Sequence, residues 1–321
     1  MSILAGPAGR RLMDLLLAPA DPRYPRLLAS LSPAPMLYVQ GSVEADDALS
    51  VAIVGSRHAT AYGLDVAGRL ASDLAARGVT IVSGLARGID TAAHRGALDA
   101  GGRTIAVLGS GIDVIYPPEN RDLALEVARS GAVVSQFPPG TAPHPFHFPV
   151  RNQTIAALAL GVIVVEAAER SGALITARHA ADLGREVCAV PGRITSETSR
   201  GCHRLIQDGA KLVEDWTDVV SELPQEWRRL VRGAAVVMSG AIRPEPPSDD
   251  GRVLALLGPD EPQHIEALIE RSGLPVARVS TSLLALELEG WARQYAGQRW
   301  VAAEPATARR AQRHDGERRA E

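Results

Sequence analysis

Cysteine is nearly absent from this sequence: its 321 residues include 2 cysteines, Cys188 and Cys202. Two cysteines are too few for a disulfide framework, and neither belongs to a CxxC motif or to a Cys/His cluster of the kind that holds zinc. Cys188 lies within the apolar run 187–190 and is most simply a buried strand residue. We therefore expect neither a metal site nor a bound cofactor.

Long apolar stretches are also missing. No run approaches the roughly 18 apolar residues that a membrane-spanning helix needs. Near the start, Arg10 and Arg11 precede an apolar stretch, but Asp14 interrupts it and no signal-peptide cleavage pattern follows. The sequence therefore predicts a cytoplasmic protein without a membrane partner.

A net excess of one charge is lacking too. The chain has 34 basic and 37 acidic residues, for a formal net charge of -3, and the segment 50–215 is balanced in itself. This balance excludes a protein that coats nucleic acid through overall positive charge, yet it leaves room for a local basic pocket. Lys211 is the one lysine, so nearly all basic side chains are arginine. Either a GC-rich genome or a need for planar, bidentate anion binders explains that bias.

What the sequence does contain is a regular alternation of short apolar runs with helical patterns. Continuous apolar runs are expected for strands of a sheet that is covered on both faces. Between them, segments such as 61–77 have apolar residues on one helix face, and Gly78 follows as the expected C-cap. This alternation predicts a doubly wound α/β fold with a parallel sheet. The six apolar runs are 51–54, 79–82, 104–108, 132–134, 162–165 and 186–190.

The rest of the chain is organised differently. The proline-rich residues 1–49 predict an N-terminal extension that packs on the sheet domain of residues 50–220. A second proline-containing segment, 221–247, predicts an exposed linker. Beyond it, three helical patterns followed by a hairpin have the outline of a winged helix. The expected parts are a domain at 248–303 with helices at 251–257, 261–271 and 276–288 and a hairpin at 291–301, and then a disordered tail at 304–321.

Small residues and arginine recur where the predicted strands end. In an open parallel sheet, ligands bind at the carboxyl ends of the strands. Glycines let main-chain amides approach a bound group, and helix N-termini add partial positive charge that suits phosphate. Together these loops predict an anion-binding rim, although a tight turn explains any one of the glycines. The loops are Gly55-Ser56-Arg57, 83–88, 109–111, Arg170-Ser171-Gly172 and Pro191-Gly192-Arg193.

A second pattern is the aromatic and basic run 146–153 after the fourth predicted strand. It contains Phe146, Phe148 and Arg151, although aromatic residues make up only 4% of the chain. Aromatic rings beside an arginine suit base stacking combined with phosphate contact, as in single-strand recognition. A loop anchored by its own apolar side chains is the alternative.

Candidate catalytic groups do not assemble into a set. Ser83 lies outside a G-x-S-x-G elbow, and no GxGxxG or P-loop motif is complete. His94 follows Asp90 by four residues, a spacing that favours a local hydrogen bond at a helix start over acid/base chemistry. Glu166 at a strand end is a weak candidate for a general base because no partner carboxylate or metal cluster accompanies it. We therefore expect a protein that is not an enzyme.

The sequence motifs of the sheet region, taken in order, resemble those of a known family. They are 51–57, 83–90 with Ala93-His94, 104–113 with Tyr116-Pro117, 148–152, 171–177, 189–192, 205–206 and 209–210, preceded by Tyr24-Pro25, Leu37-Tyr38 and Gly41. This ordered set resembles the DNA processing protein A (DprA, also called Smf) family of bacteria. The resemblance implies an extended Rossmann-like fold that binds single-stranded DNA in a basic pocket and forms a homodimer. It also implies that the protein loads the recombinase RecA onto incoming single strands in natural transformation and recombination.

The resemblance further implies which residues contact DNA. Arginine side chains and helix-start amides would hold phosphates, and Phe148 would stack on a base. The implied DNA-binding residues are Ser56, Arg57, Ser83, Gly84, Leu85, Ala86, Phe148, Arg151, Asn152, Ser171, Gly172, Thr176 and Gly192.

Three places depart from the family pattern. Gln153 stands where the family usually has arginine, which removes one positive charge from the implied pocket, and Gln136 stands where it usually has glutamate. An asparagine common before the Leu-Ile pair is replaced around His203 and Arg204, which would restore a basic group nearby. These departures predict altered contact with DNA rather than a different fold.

The C-terminal module is poor in the residues that read duplex DNA. Residues 248–303 carry more acidic than basic side chains, and the expected recognition helix, Val276–Leu288, offers Arg278 but also Glu287. Such a helix should present basic and amide side chains to the groove. We therefore interpret the module as one for packing or protein contact, with a duplex-binding regulator as the alternative.

A nucleotide-binding enzyme of the phosphoribohydrolase type is the alternative for the sheet region. That class needs a PGGxGT-like loop with a carboxylate. The nearest string here, residues 191–195, lacks the second glycine.

Overall fold

The structure is a computed structural model that describes residues 15–232, 249–258, 262–288, 291–295 and 297–302. Two compact units comprise residues 1–240 and 241–321, and each is described by itself. The tail predicted at 304–321 and the linker residues 233–247 lie outside the described residues.

The larger unit is built on a nine-stranded sheet in the order β1-β2-β6-β5-β4-β3-β7-β8-β9. The strands from β6 to β9 in this order run parallel, and β1 and β2 pair antiparallel at one edge. Each of the six apolar runs forms a strand, so the predicted α/β fold with a parallel sheet is confirmed. The strands are β1 Leu15–Leu17, β2 Leu37–Gly41, β3 Ser50–Gly55, β4 Thr80–Ser83, β5 Thr104–Leu108, β6 Ala132–Ser135, β7 Gly161–Val165, β8 Glu186–Ala189 and β9 Lys211–Leu212.

Helices connect the parallel strands, and two of those at the site begin at polar caps. The Thr60 hydroxyl accepts a hydrogen bond from the Gly63 amide at 3.2 Å, and Ser171 Oγ accepts one from the Ala173 amide at 3.2 Å, which satisfies amides that a helix start leaves free. The helices are α1 Ala61–Ala76, α2 Ile89–Asp99, α3 Arg121–Ser130, α4 His147–Ala157, α5 Gly172–Asp182, α6 Arg200–Gln207, α7 Trp216–Glu222 and α8 Gln225–Arg228.

Both faces of the sheet are buried, which explains the continuous apolar runs. Ala52 and Val54 of β3 face a core that α4 and α5 cover, while Val51 and Ile53 face a core that α1 and α2 cover. All four side chains are at most 4% exposed. Helices on both faces leave the ends of the strands as the accessible part of the sheet.

The direction in which strands are added reverses beside β3. From β3 the chain adds β4, β5 and β6 on one side, and it then crosses over to add β7, β8 and β9 on the other. Helices that follow β3 and β7 therefore diverge at the carboxyl ends of these strands. A crevice at such a reversal is where open α/β sheets bind ligands.

The segments on either side of the sheet region pack on it. The Tyr24 hydroxyl donates a hydrogen bond to Pro35 O at 2.7 Å, and Tyr24 is buried in the core beneath β2. At the other end, Leu223 and Val231 are 1% and 3% exposed and belong to the core beneath α1. The linker predicted at 221–247 thus includes residues that pack on the larger unit.

The smaller unit is a winged helix, as the sequence predicts. Its core contains Val253, Leu268, Val279, Leu283 and Trp300. The second helix begins at residue 265 rather than 261 because the two residues before it pair with the hairpin strand at 299–302. The elements are α9 Asp249–Leu256, β10 Gln263–His264, α10 Ile265–Ser272, α11 Val276–Leu288, β11 Ala292–Tyr295 and β12 Arg299–Ala302.

Candidate nucleic-acid interface

A groove of about 760 Å³ lies at the carboxyl ends of β3 and β7, where the strand order reverses. Its walls come from the loops after β3, β4 and β7 and from the first turns of α4 and α5. The predicted DNA-binding residues that line it are Ser56, Arg57, Ala86, Phe148, Arg151, Asn152, Ser171, Gly172 and Thr176. Gly84 lines a smaller cavity that shares Arg57, Phe148 and Arg151 with the groove.

Arg57 and Phe148 form the cationic and aromatic part of this groove. The guanidinium carbon of the exposed Arg57 lies 5.0 Å from the centroid of the half-buried Phe148 ring. Tyr116 flanks the same ring at a centroid distance of 5.9 Å. A cation over an aromatic face at this distance contributes about 0.5–1 kcal/mol where exposed. The contact fixes a positive charge beside a ring that bases can stack on.

Arg151 plays a different part from the one that its position in the sequence predicts. It is 4% exposed, and its Nη1 donates hydrogen bonds to Gly84 O and, at 2.7 Å, to Val107 O. Its Nε donates to Asn152 Oδ1 at 3.2 Å. Burial lowers the pKa of Arg151 to about 10, so the guanidinium stays protonated at neutral pH. The Nη1 group of Arg151 therefore ties the loop after β4 to strand β5, and Arg151 is not a free arginine fork.

Two predicted DNA-binding residues at the end of β4, Ser83 and Leu85, have buried side chains. Ser83 Oγ donates to Ile53 O at 2.6 Å, and Leu85, with a φ of 57°, packs into the core; both are fully buried. The Asp90 carboxylate accepts hydrogen bonds from the amides of Gly84 at 3.1 Å and Ala86 at 3.3 Å. The predicted contacts of Ser83 and Leu85 with DNA are therefore not available to their side chains.

Asp90 and His94 do not bond to each other, so the helix-start hydrogen bond predicted for them is wrong. His94 Nδ1 lies 2.7 Å from Thr104 Oγ1, which itself donates to Ile81 O at 2.7 Å, so His94 is the donor in the first contact. Burial lowers the pKa of His94 to about 3, helped by the charge of Arg151, and burial raises the pKa of Asp90. His94 is thus a neutral core residue.

The start of α5 adds an arginine that the predicted set of contacts omits. Arg170 is exposed and lines the groove directly before the capping Ser171, and neither Arg170 nor Arg57 forms an ion pair within the described part of the chain. Asn152 Nδ2 donates to Gly172 O at 3.1 Å and joins α4 to this helix start. The sequence already places Arg170 in the predicted anion-binding rim, because it belongs to the same strand-end loop as Ser171.

Gly192 and the basic pair near it lie outside the groove lining. Gly192 O lies 2.9 Å from His203 Nε2, while Arg204 Nε pairs with Asp208 at 3.1 Å. His203 and Arg204 do not line the groove, so they do not restore to it the positive charge that is lost at Gln153. Gln153 is exposed on α4 and does not line the groove either.

Glu166 holds the fold rather than facing the groove. It is 5% exposed, and its carboxylate accepts hydrogen bonds from the Thr60 amide at 2.8 Å, the Thr60 hydroxyl at 2.5 Å and the Thr198 hydroxyl at 3.4 Å. A carboxylate with these three donors caps the start of α1. It is poorly placed to take a proton from a substrate.

Among the described residues, no group of three or more His, Cys, Asp or Glu side chains is arranged to hold a metal ion. In the same residues, no helix is long and apolar enough to cross a membrane. Cys188 and Cys202 are buried, and burial raises the pKa of their thiols to about 12 and about 11.

The sequence profile of the DNA recombination-mediator protein A family matches residues 15–224, well over half of the chain. The chain belongs to this family. A second profile, that of the DprA winged helix domain, matches residues 240–298. The family expected from the ordered sequence motifs, and the winged helix expected from the C-terminal pattern, are both confirmed.

Individual relatives agree with this assignment. Protein Smf of Escherichia coli is 41% identical over 278 residues, which cover 86% of this chain and 74% of Smf. The DNA processing protein DprA of Streptococcus pneumoniae is 46% identical over 203 residues, covering 63% and 72% of the two chains.

Two solved structures of the family resemble this one. The structure of S. pneumoniae DprA has a TM-score of 0.63 at 44% identity and covers 66% of this chain and 75% of its own. DNA processing protein A of Helicobacter pylori, which is described with a single-stranded DNA binding mode, has a TM-score of 0.56 at 30% identity and covers 61% and 91%.

Proposed function

We propose that this chain binds single-stranded DNA in the groove at the ends of β3 and β7. The contact between Arg57 and Phe148 carries this proposal, because it places a positive charge and an aromatic ring side by side at 5.0 Å. Proteins that bind single strands combine basic grooves for the backbone with aromatic side chains on which bases stack. Arg170 and the capped start of α5 add a second charge and amides that suit phosphate.

A single strand fits this site better than a duplex does. The groove is a crevice between loops, so bases must leave a duplex to reach the Phe148 ring. In the smaller unit, the exposed face of α11 presents Val276, Leu284 and Leu288, which are 60%, 56% and 82% exposed, and Arg278 pairs with Asp249 at 3.3 Å. These side chains do not make a basic, duplex-reading helix. The described structure of the H. pylori relative points to single strands as well.

The proposed role is not catalytic. The Glu166 carboxylate accepts hydrogen bonds from Thr60 and is not free to act as a base. The loop at 191–195, which a phosphoribohydrolase would use, lies outside the groove lining. Incubation with nucleoside monophosphates should release no base, and catalytic release by the purified protein would contradict this part of the proposal.

DNA binding is tested by fluorescence anisotropy with a labelled oligothymidylate and a matched duplex across a salt series. We expect the single strand to bind more tightly, with an affinity that falls as salt rises. Arg57→Ala should weaken binding and reduce the salt slope by about 0.7 for one lost phosphate contact. Arg69→Ala is the matched control, because Arg69 is an exposed arginine of α1 that lies outside the groove lining. Equal affinity of wild type and Arg57→Ala would contradict the proposed site.

We further propose that the chain loads a RecA recombinase onto the bound strand, in recombination and on DNA taken up in transformation, and that it acts in the cytoplasm as a homodimer. The family description as a recombination mediator supports this role. RecA ATPase activity on strands coated with single-strand binding protein should rise when the chain is added, and Arg57→Ala should abolish the rise. Sedimentation should show a dimer. No stimulation by the wild-type chain would overturn the loading role while leaving DNA binding intact.

A further inference from the structure

An exposed aromatic ring lies beside the groove and has no part in the site described so far. All 3 phenylalanines of the chain, Phe137, Phe146 and Phe148, are in or next to the loop between β6 and α4. Phe148 lines the groove, whereas Phe146 is 77% exposed, more than any other large aromatic side chain of the described residues. Because Pro145, the residue before it, lines the groove, this ring is within reach of a strand that leaves the groove.

The Phe146 ring is held in place by a column of other rings. It stacks on His144 with a centroid distance of 5.2 Å and an interplanar angle of 28°. The Phe146 amide donates to His144 Nδ1 at 3.4 Å, and the His147 amide donates to His144 O at 2.9 Å, which fixes the turn. His147 in turn stacks on Phe137 at 4.4 Å. One side of Phe146 is thus supported, and the ring remains largely open to solvent.

The loop that carries this ring is stiff and continuous with the groove. Pro143, Pro145 and Pro149 flank the rings, and proline fixes the backbone φ angle. All three prolines also line the groove itself. A ring that is already ordered loses little conformational entropy when a ligand stacks on it.

The surrounding charge is compatible with a DNA backbone. The sequence has no Asp or Glu between Glu126 and Glu166. The carboxylate that contacts this loop, Asp113, accepts a hydrogen bond from the Gly140 amide at 2.7 Å, six residues before Phe146. A phosphate passing Phe146 therefore meets no acidic residue from the loop's own sequence.

We propose that Phe146, supported by His144, is a second stacking platform for a base of the same DNA strand, next to the base on Phe148. The Cα atoms of these two residues can be no more than about 7 Å apart, a step that adjacent nucleotides of an extended single strand can span. The platform rests on the proposed binding of single-stranded DNA and extends the bound path beyond the groove. Stacking on it would be tolerant of sequence, because every base has a flat face.

The test compares Phe146→Ala, Phe146→Leu and Phe146→Trp with the wild-type chain by anisotropy with an oligothymidylate. Loss of a stacked base costs about 1–3 kcal/mol, so we expect Phe146→Ala to weaken binding on the order of tenfold. Phe146→Leu should be almost as weak, since it keeps apolar volume but no ring, and Phe146→Trp should retain affinity. The salt slope should stay unchanged in all three variants, in contrast to Arg57→Ala. Leu230→Ala is the control for loss of an exposed apolar side chain, because Leu230 is 60% exposed and lies outside the groove lining.

The possible results separate this proposal from the proposed function. If Arg57→Ala weakens binding and Phe146→Ala does not, the platform is wrong and the groove stands. If Phe146→Leu binds as wild type does, the contact is apolar rather than a stack, and the platform is again wrong. If the wild-type chain does not bind single strands at all, both proposals fall.

Discussion

Glu166 accepts two hydrogen bonds from Thr60, one from its amide at 2.8 Å and one from its hydroxyl at 2.5 Å. The contact ties the end of β7 to the start of α1, across the point where the strand order reverses. Glu166 has a φ of 52°, in the left-handed region that residues other than glycine rarely adopt. The hydrogen bonds to Thr60 keep the side chain, and with it this backbone, in place. The wall of the groove thus depends on a carboxylate that does not line it.

Glu166→Gln should therefore destabilise the protein. The side-chain NH₂ of the new glutamine would face a hydrogen-bond donor of Thr60. Because the site is only 5% exposed, the hydrogen bond lost there would not be replaced by water. We expect the free energy of unfolding to fall by about 1–3 kcal/mol, measured by urea denaturation. Glu169→Gln, an exposed change in the loop after β7, should alter it by less than about 0.5 kcal/mol. Equal stability of the two variants would show that Thr60 does not need the carboxylate.

Gly84→Ala should disrupt the groove because there is no space for a methyl group. A Cβ at Gly84 would overlap the Arg151 guanidinium and lie 2.7 Å from Asp90 Oδ2. We expect a loss of about 1–3 kcal/mol in unfolding free energy, typical of overpacking a tight site, together with loss of DNA binding. Gly68→Ala is the matched control, since the nearest atom to a Cβ there is Ala92 O at 3.8 Å and Gly68, in α1, lies outside the groove lining. If both variants melt at the same temperature, Gly84 is not as confined as the structure shows.

The sheet and the position of the groove could be predicted from the sequence. A strand buried on both faces does not alternate polar and apolar residues. A continuous apolar run such as 162–165 therefore indicates a strand of a covered parallel sheet. Parallel direction then places all strand-end loops at one edge, and this brings Arg57, Phe148 and Ser171 together. Gly192 shares that edge but follows β8, one strand beyond the reversal, and it does not line the groove.

The partners of the buried polar groups could not be predicted. Arg151 bonds to Gly84 O and Val107 O, which are 67 and 44 residues away in sequence, so a local pattern holds no sign of its burial. The four-residue spacing of Asp90 and His94 predicts a hydrogen bond between them. Instead, Asp90 accepts hydrogen bonds from main-chain amides, and His94 donates one to Thr104. Tertiary contacts decide such pairings.

Arg57 and Arg151 should respond differently to mutation. Arg57 is exposed and forms no ion pair in the described residues, so Arg57→Ala should weaken DNA binding and lower the unfolding free energy by no more than about 1 kcal/mol, the most that its exposed contact with Phe148 contributes. Arg151→Met would leave Gly84 O and Val107 O without donors, which should cost about 1–3 kcal/mol for each unpaired group. Urea denaturation and anisotropy on the same preparations check both. A stable Arg151→Met variant that binds DNA weakly would instead make Arg151 a direct phosphate ligand.

His94 should make the stability of the protein depend on pH. Its pKa in the folded protein is lowered by burial from an ordinary value of 6.5 to about 3, so between these values the unfolded chain binds a proton that the folded chain does not. Stability from this group is therefore fully present above pH 6.5 and is lost as the pH falls toward 3, by up to about 1.4 kcal/mol per pH unit. His94→Asn keeps a donor for Thr104 but cannot titrate. Urea denaturation between about pH 7 and pH 4 should give the wild type a steeper loss than the variant, whatever their absolute stabilities. Parallel curves would show that the pKa of His94 is not lowered in the folded protein and would contradict the prediction.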